Sequence, residues 1–228
     1  PQDCTLDQLK LKLAMIPQAI EPTNTSKVFW PDDGFTKGDL LIYLRHIAPY
    51  MLPFLKNKAL TLIRYPDGIT EEGFFQKSLP AYAPSFIQTY ELNDKQVFVC
   101  DELESLLWFA NHGAIEFHIP FQTIHAQNHP TDIVFDLDPP DREHFHLAVV
   151  AALLIKQMLD ELNIIAFVKT SGNKGLQIHI PITKETLTYH DTALFTQAIA
   201  FTIEKQYPHL FTTERLKKNR QGRLYIDY

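Results

Sequence analysis

The chain has 228 residues, 45% apolar and 21% charged, which fits a globular protein with one large domain or two small ones. Charge or proline breaks its longest apolar stretches, so we expect neither a membrane span nor a signal peptide, and the two cysteines, Cys4 and Cys100, argue against a disulfide scaffold or a cysteine-based zinc site and fit a reducing cytoplasm. The formal net charge of −6 disfavours nucleic-acid binding. Residues 215–223, however, hold five cations and no acid, so they could form a basic patch on an acidic protein. The simpler alternative is that these charges only face the solvent.

The first half of the chain is predicted to mix helices and strands. Residues 1–26 form a leader in this interpretation, with one short helical pattern at Leu6, Leu9 and Leu13. Apolar residues recur at helical spacing over 38–55, where Pro49 and Pro53 predict a kink or an early end. Strands are predicted over 59–65, 85–90, 96–100 and 114–119, and a helix over 102–112 that opens with a capping box of Asp101 and Glu104 and closes at Gly113.

The second half has a more regular pattern. After a polar loop over 122–131, we predict strands over 132–138, 164–169, 176–182 and 222–228, helices over 141–162 and 188–206, and a turn over 171–175. The order β-α-β-turn-β-α-β predicts an α/β unit with a mixed sheet, related to ferredoxin-like arrangements. Because a sheet strand seldom makes a C-terminus, we expect the domain to be truncated after the last strand.

Two aspartates end the apolar strand "DIVFDLD". Side chains at i and i+2 of a strand share a face, so Asp136 and Asp138 are predicted to project side by side. Two adjacent carboxylates repel each other unless a cation lies between them, and Mg²⁺ or Mn²⁺ prefers carboxylate oxygens. The motif alone leaves a second interpretation open, in which the aspartates cap the turn before Pro139 and Pro140.

Two further segments extend the site. In "SGNKGLQIHI", two glycines allow a tight turn whose backbone N–H groups, with Ser171 and Lys174, could hold phosphate oxygens, although an ordinary hairpin turn fits as well. Gln177 and His179 alternate with isoleucines and therefore share one face of the following strand. Asp227 lies in an otherwise apolar strand, where an ionised carboxylate needs a partner or a metal ion, and Arg220 lies just upstream.

These three segments, in this order and spacing, resemble the polymerase domain of bacterial ATP-dependent DNA ligase D, a member of the archaeo-eukaryotic primase superfamily. The likeness extends to "SKVFWPDDGFTKGDL", "LIRYPDGI", "EGFFQKSLPAYAP" and "AIEFHIP" and covers roughly residues 22–228. It implies an α/β (α+β) fold, the mixed-sheet primase-polymerase fold, with an RRM/ferredoxin-like catalytic unit over 130–228 packed on an N-terminal α/β part over 27–121. Residues 27–228 would then form a single polymerase domain.

The resemblance also implies residue roles. Asp136, Asp138 and Asp227 match a metal-binding catalytic triad for two Mn²⁺ or Mg²⁺ ions, with no organic cofactor. The residues that match contacts to the incoming NTP or dNTP are Ser171, Lys174, Arg220 and His118. Lys27 and Lys37 match lysines that grip a 5′-phosphate on downstream DNA, and Phe74 and Phe75 match aromatics that stack on the template. Gln177 and His179 are also expected to bind the nucleotide: Gln177 departs from the family, where many relatives have His, but can donate a hydrogen bond to phosphate, and His179 on the same face could partly substitute for that His.

The implied function is template-directed nucleotide addition that fills gaps and extends ends in non-homologous end joining of double-strand breaks. The implied partners are double-stranded DNA ends and gaps with a 5′-phosphate, a fused or associated ATP-dependent ligase domain and the end-binding protein Ku, in the cytoplasm at the nucleoid. Two alternatives stay open: a non-catalytic module that binds 5′-phosphorylated DNA ends, and a glycosyltransferase that uses D-x-D to hold a nucleotide-sugar through a metal ion.

Overall fold

The structure is a computed structural model that describes residues 16–183 and 185–228. The chain divides into two units, Pro1–His125 and Ala126–Tyr228. The helical pattern at Leu6, Leu9 and Leu13 lies outside the described residues. Residues 16–26, which the sequence pattern assigns to a leader, contribute Ile16 and Ile20 to the hydrophobic core of the first unit.

In its described residues, the first unit combines two helices with three small sheets. Its main sheet has the strand order β4-β3-β7, and β1-β2 and β5-β6 are two-stranded ribbons. Helices α1 and α2 pack on each other over a core that includes Leu41, Leu62 and Leu106. The elements are β1 (Val28–Trp30), β2 (Phe35–Thr36), α1 (Lys37–Leu55), β3 (Thr61–Arg64), β4 (Phe74–Gln76), β5 (Thr89–Leu92), β6 (Lys95–Phe98), α2 (Leu103–Asn111), β7 (Ala114–His118) and β8 (Gln122–Thr123).

Helix α1 runs through both prolines, so the early end predicted for it is wrong. Pro49 and Pro53 are one turn apart and both are exposed. Each removes one intrahelical N–H donor. Because both lie on the solvent side, water can satisfy the carbonyls that lose their partners, and the buried face with Leu41, Leu44 and Ala48 holds the helix in place.

The capping box predicted for α2 is also wrong. The N-cap is Glu102, and no side chain caps the helix. Asp101 instead accepts a hydrogen bond from the backbone N–H of Asn57 at 2.8 Å, a long-range partner that no local pattern reveals. The strand predicted over 85–90 is displaced as well, since β5 begins only at Thr89.

The second unit is a five-stranded mixed sheet with two helices. Its strand order is β11-β12-β10-β14-β13, and only the β13–β14 pair is parallel. Strand β10 is therefore central, between β12 and β14. The elements are β9 (Ala126–Pro130), β10 (Asp132–Asp138), α3 (Phe145–Glu161), β11 (Phe167–Thr170), β12 (Leu176–Pro181), α4 (Tyr189–Gln206), β13 (Phe211–Thr212), a 3₁₀ turn (Lys217–Asn219) and β14 (Leu224–Asp227).

The helices of this unit cover one face of the sheet. Phe135 and Leu137 of β10 are fully buried in a core with Ile155 of α3 and Ile199 of α4. Burial alternates along β10, so its aspartates lie on the opposite face. Strands β8 and β9 fall within the predicted loop over 122–131, which lacked an apolar alternation to indicate them. In the part of the chain that the structure describes, no helix is both long and apolar enough to cross a membrane.

Candidate active site and phosphate pocket

Three carboxylates meet at the centre of the five-stranded sheet. Asp136 of β10 lies directly opposite Asp227 of β14 in the strand register, and Asp138 lies opposite Tyr225. The fully buried Leu137 separates the two β10 aspartates and points to the core. The register thus brings Asp227 to a pair that is far from it in sequence, on the face that the two helices leave free.

Burial and the neighbouring carboxylates disfavour ionisation of Asp136. Burial raises the pKa of Asp136, and the charges of Asp138 and Asp227 raise it further, while a hydrogen bond from the Gln177 side chain opposes the shift. Like charges this close need a positive partner to be ionised together. The sheet therefore concentrates negative charge where a cation would stabilise the ionised carboxylates.

Asp138 meets that need with two side chains. One of its carboxylate oxygens lies 3.1 Å from Lys174 Nζ and the other 3.0 Å from Arg220 Nη1. The loop that carries Lys174 approaches β10 closely at Gly175, where a Cβ atom would lie 2.2 Å from the Leu137 carbonyl oxygen. Glycine at this position is therefore what allows Lys174 to reach Asp138.

Tyr225 contacts both Asp227 and Arg220. Its hydroxyl donates a hydrogen bond to Asp227 Oδ1 at 2.9 Å, and its ring lies 3.8 Å beneath the guanidinium of Arg220. Burial first, and then the hydrogen bond to Asp227, raise the pKa of Tyr225 to about 12. The hydroxyl is thus a proton donor throughout the neutral range, and it orients the carboxylate.

The donor chemistry of the three aspartates suits Mg²⁺ or Mn²⁺, which prefer carboxylate oxygens. Within residues 16–183 and 185–228, no three His, Cys, Asp or Glu side chains are already arranged around a common point that could hold a metal ion. The reason is visible in the contacts: Asp138 turns to two cations, Asp227 to Tyr225 and Asp136 to Gln177. The strand register supplies the proximity, and these partners set the present side-chain directions.

Of the remaining residues predicted for nucleotide binding in this unit, Ser171 and Gln177 have local partners, whereas the buried Nε2 of His179 has no hydrogen-bond partner among the described residues. Ser171 Oγ accepts hydrogen bonds from the backbone N–H groups of Asn173 and Gly175, which closes the turn. Gln177 lies opposite Asp136, and its Oε1 accepts from Lys169 Nζ at 2.7 Å. His179 lies one row away, opposite Val134, and burial lowers the pKa of its imidazole.

Lys27 and Lys37, ten positions apart, are brought together by a β-ribbon. Lys27 directly precedes β1 and Lys37 directly follows β2, and the Lys37 backbone N–H donates to the Lys27 carbonyl at 2.8 Å. Lys37 is also the first residue of α1, whose N-cap Thr36 forms a capping box with Asp39. Both lysines line a cavity of about 260 Å³ with Thr23, Arg64, Asn111 and His112 among its other walls.

Lys37 is an unusual lysine. Its residue is only 5% exposed, and its Nζ donates a hydrogen bond to Thr23 Oγ1 at 3.0 Å. Burial, with the charge of Lys27, lowers the pKa of Lys37 to about 8. Lys27 is more exposed and forms an ion pair with Asp67. Among the described residues no carboxylate pairs with Lys37, and a buried cation without such a partner is costly, which favours a site that an anion completes.

Phe74 and Phe75 are surface residues on β4, 46% and 65% exposed, and do not belong to the core. Arg64 lies over the Phe74 ring at 5.2 Å, and the same arginine lines the cavity with the two lysines. The Phe75 ring lies 6.3 Å from that of His118, whose Nε2 is 2.9 Å from Glu116 Oε2. Exposed aromatic rings that contact a neighbouring side chain on one side can stack on nucleic-acid bases with the other.

Three residues of these sites were not found from the sequence. Lys169 and Tyr225 lie two residues before Ser171 and Asp227 respectively, and strand alternation could have placed them on the same face as their neighbours. Arg64 ends β3, and its link to both the cavity and Phe74 depends on tertiary contacts. For Lys169 and Tyr225, the only signal in the sequence was the alternation of side chains between the two faces of a strand.

Comparison with known protein families gives a direct match. Residues 36–228 match the family model described as "LigD, primase-polymerase domain". The chain is 44% identical over 226 residues to the "Bifunctional non-homologous end joining protein LigD" of Bacillus subtilis (strain 168), covering 99% of this chain and 37% of that protein. Against the "Multifunctional non-homologous end joining protein LigD" of Mycolicibacterium smegmatis, identity is 29% over 217 residues, covering 92% and 28%.

A solved structure matches as well. The "Polymerase Domain from Mycobacterium tuberculosis Ligase D in complex with DNA" has a TM-score of 0.84 and 26% identity, over 92% of this chain and 77% of that chain. This match confirms the predicted mixed α+β fold, and with the family model it confirms the resemblance identified in the sequence. The chain spans 37% and 28% of the length of the two curated relatives above.

Proposed function

The chain belongs to the LigD primase-polymerase domain family, and from that premise we propose that it adds nucleotides to a primer 3′-hydroxyl under the direction of a template strand. The observation that carries the proposal is the strand register that sets Asp136 against Asp227 with Asp138 on the same face, beside Lys174 and Arg220. Three carboxylates next to two phosphate-binding cations form the residue set that two-metal phosphoryl transfer requires.

The roles follow from the chemistry of each group. Asp136, Asp138 and Asp227 would hold two Mn²⁺ or Mg²⁺ ions, which, when bound, act as Lewis acids toward the 3′-hydroxyl and the α-phosphate. Lys174 and Arg220 bind triphosphate oxygens, Lys174 as a point charge and Arg220 as a planar fork. Tyr225 orients the side chains of Asp227 and Arg220, because it contacts both. Ser171 and His118 are further nucleotide contacts in this proposal.

The first unit supplies recognition of the DNA substrate. The cavity with Lys27 and Lys37 would take the 5′-phosphate at the far side of a gap, since a phosphate dianion supplies an anion that the described residues do not offer to buried Lys37. Phosphate contacts position DNA without reading its sequence, as end repair requires. The exposed Phe74 and Phe75 rings stack on template bases.

The proposed setting is gap filling and end extension during non-homologous end joining, the process for which the two curated relatives are named. In that setting the domain works in the cytoplasm at the nucleoid, beside an ATP-dependent ligase domain and Ku. Its substrates are NTPs or dNTPs and DNA ends or gaps that carry a 5′-phosphate.

Primer extension on a one-nucleotide gap tests the proposal. The gapped duplex is made with and without a downstream 5′-phosphate, and addition is followed with Mn²⁺ and either NTPs or dNTPs. We expect addition that follows the template base and is stimulated by the 5′-phosphate. If the protein binds the phosphorylated gap but adds nothing, it is an end-binding module. If it instead hydrolyses a UDP-sugar and ignores DNA, the D-x-D glycosyltransferase alternative is correct.

Replacing Phe75 with alanine is expected to weaken binding to gapped DNA about 5- to 30-fold, because a base that stacks on an aromatic ring gains about 1–2 kcal/mol. The ring is 65% exposed, so the thermal midpoint should stay within about 1 °C of the wild type. Fluorescence anisotropy with a labelled gapped duplex measures the change.

The matched control is Phe54→Ala. Phe54 is 69% exposed on helix α1, so the replacement removes the same ring area from a surface that the proposal does not use. Equal loss of affinity in the two variants would contradict a stacking role for Phe75.

A further inference from the structure

One row of polar side chains crosses four strands of the catalytic sheet. Lys169 of β11 lies opposite Gln177 of β12, Gln177 lies opposite Asp136 of β10, and Asp136 lies opposite Asp227 of β14. Directly opposed residues on neighbouring strands lie within about 5.5 Å of each other and interact along the row. Lys169 therefore belongs to the same row as two of the three aspartates, at the edge of the sheet.

The hydrogen bonds along this row all have their donors on the side of Lys169 and their acceptors on the side of Asp136. Lys169 Nζ donates to Gln177 Oε1 at 2.7 Å, and the other end of the amide lies beside Asp136, which is directly opposite Gln177 in the strand register and whose pKa the Gln177 side chain lowers by hydrogen bonding. A carboxylate only accepts hydrogen bonds when ionised, so the Gln177 group that faces Asp136 is its NH₂. Both ends of the amide are thus engaged, one with the lysine and one with the aspartate.

The lysine decides which way the amide points. A glutamine amide has an acceptor at one end and a donor at the other, and a rotation of 180° exchanges them. An ammonium group can only donate, so beside Lys169 only the carbonyl end of Gln177 is satisfied. Without the lysine, only the contact with Asp136 favours this orientation, and the amide is held less firmly.

We propose that Lys169 is a positioning residue of the metal site, which fixes the amide of Gln177 so that its NH₂ group orients Asp136. This inference rests on the proposed function, because it takes Asp136 as a metal ligand. It also gives Gln177 a different role from a contact to the triphosphate, since the NH₂ end of its amide faces Asp136 in this arrangement.

The direction of the effect on metal affinity separates positioning from simple charge. A cation near a bound dication repels it, so loss of the Lys169 charge alone would tighten Mn²⁺ binding. Loss of a hydrogen-bonding partner behind a metal ligand weakens binding by about 10- to 100-fold, and because Lys169 acts one step further out we expect about 3- to 10-fold. The two explanations therefore predict opposite signs.

Isothermal titration calorimetry of the whole chain with Mn²⁺, without nucleotide or DNA, provides the test. We expect Lys169→Met to weaken Mn²⁺ binding, Lys169→Arg to stay within about twofold of the wild type because it keeps a donor, and Gln177→Leu to weaken binding by about 10-fold. The double variant Lys169→Met/Gln177→Leu should bind no more weakly than Gln177→Leu alone, because the lysine acts through the amide.

The matched control is Lys156→Met, which removes another exposed lysine of the same unit, on helix α3, and should leave Mn²⁺ affinity unchanged. Unchanged or tighter binding by Lys169→Met, or equal effects of that change with and without Gln177, would overturn the proposal. Asp136→Ala separates this failure from that of the proposed function. If Asp136→Ala binds Mn²⁺ like the wild type, the metal site itself is wrong, and the role of Lys169 falls with it.

Discussion

Replacing Asp138 with asparagine is expected to lower templated nucleotide addition by at least about 10²- to 10³-fold, because the site loses a metal-binding carboxylate that acts on the reacting groups. The fold should survive, since asparagine has the same shape and can still accept a hydrogen bond from Arg220. Primer extension under single-turnover conditions measures the loss.

The same variant should bind a triphosphate more tightly when no metal is present. In the structure, Lys174 and Arg220 each contact one oxygen of Asp138, so this carboxylate competes with a triphosphate for both cations. Partly exposed ion pairs are each worth up to about 1 kcal/mol, so we expect a gain of about 3- to 10-fold. Titration of a fluorescent nucleotide in EDTA measures it.

This pair of opposite effects identifies what Asp138 does. A residue with only a structural role would lose both activities together. Asp132→Asn is the control, because Asp132 lies on the same strand and the same face but at its other end. Retained addition by Asp138→Asn, or weaker triphosphate binding in EDTA, would contradict the assignment of Asp138 as a ligand whose charge is balanced by the two cations.

The local parts of this site could be predicted from the sequence. The apolar run that ends in Asp136 and Asp138 predicted a strand with both carboxylates on one face, and the burial pattern of β10 confirms it. The turn at 171–175 was also predicted, because glycines mark it, and the structure adds that Gly175 is required by the close approach to Leu137. Such features depend only on residues that are close together in the sequence.

What could not be predicted depends on partners distant in the chain. The register that opposes Asp227 to Asp136 is set by pairing of β14 with β10, and no local pattern specifies which strands pair. Asp101 shows the converse, since a sound capping pattern was overridden by the backbone N–H of Asn57. Lys169 and Tyr225 were missed for the same reason, because their value lies in the residues they touch across strands.

Replacing Lys37 with methionine is expected to make the protein more stable and to remove its preference for a 5′-phosphate. Methionine fills the same apolar space without a charge. Hydrogen-bonded charge pairs of this kind are worth about 1.5–3 kcal/mol, so the ratio of affinities for gapped DNA with and without the phosphate should fall by about 10-fold or more. Anisotropy titrations of the two duplexes measure the ratio.

The gain in stability follows from the pKa of Lys37. Burial lowers that pKa from 10.5 to about 8, so at pH 7 the folded state holds a charge that the unfolded state solvates better. Removing the charge, less the value of the hydrogen bond to Thr23, should stabilise the fold by about 1–2 kcal/mol at pH 7. Urea unfolding of both proteins measures this difference.

The pH dependence gives a second, independent sign. Between pH 8 and 10.5 the unfolded chain keeps a proton on Lys37 that the folded chain has lost, so wild-type stability gains from this residue as the pH rises. Lys37→Met lacks that gain, and its advantage should shrink across the same window. The affinity for the 5′-phosphate has the opposite pH dependence: it needs the charged form of Lys37, so it should fall as the pH rises above 8.

Lys27→Met is the matched control for these three effects. Lys27 is more exposed and paired with Asp67, so its loss should weaken phosphate binding without stabilising the fold. A Lys37→Met protein that is less stable than the wild type, or that keeps its phosphate preference, would show that the buried lysine serves the fold. If the expected result holds, the chain keeps a destabilising buried cation because an anion from outside completes it, and a terminal 5′-phosphate is the anion that a gap presents.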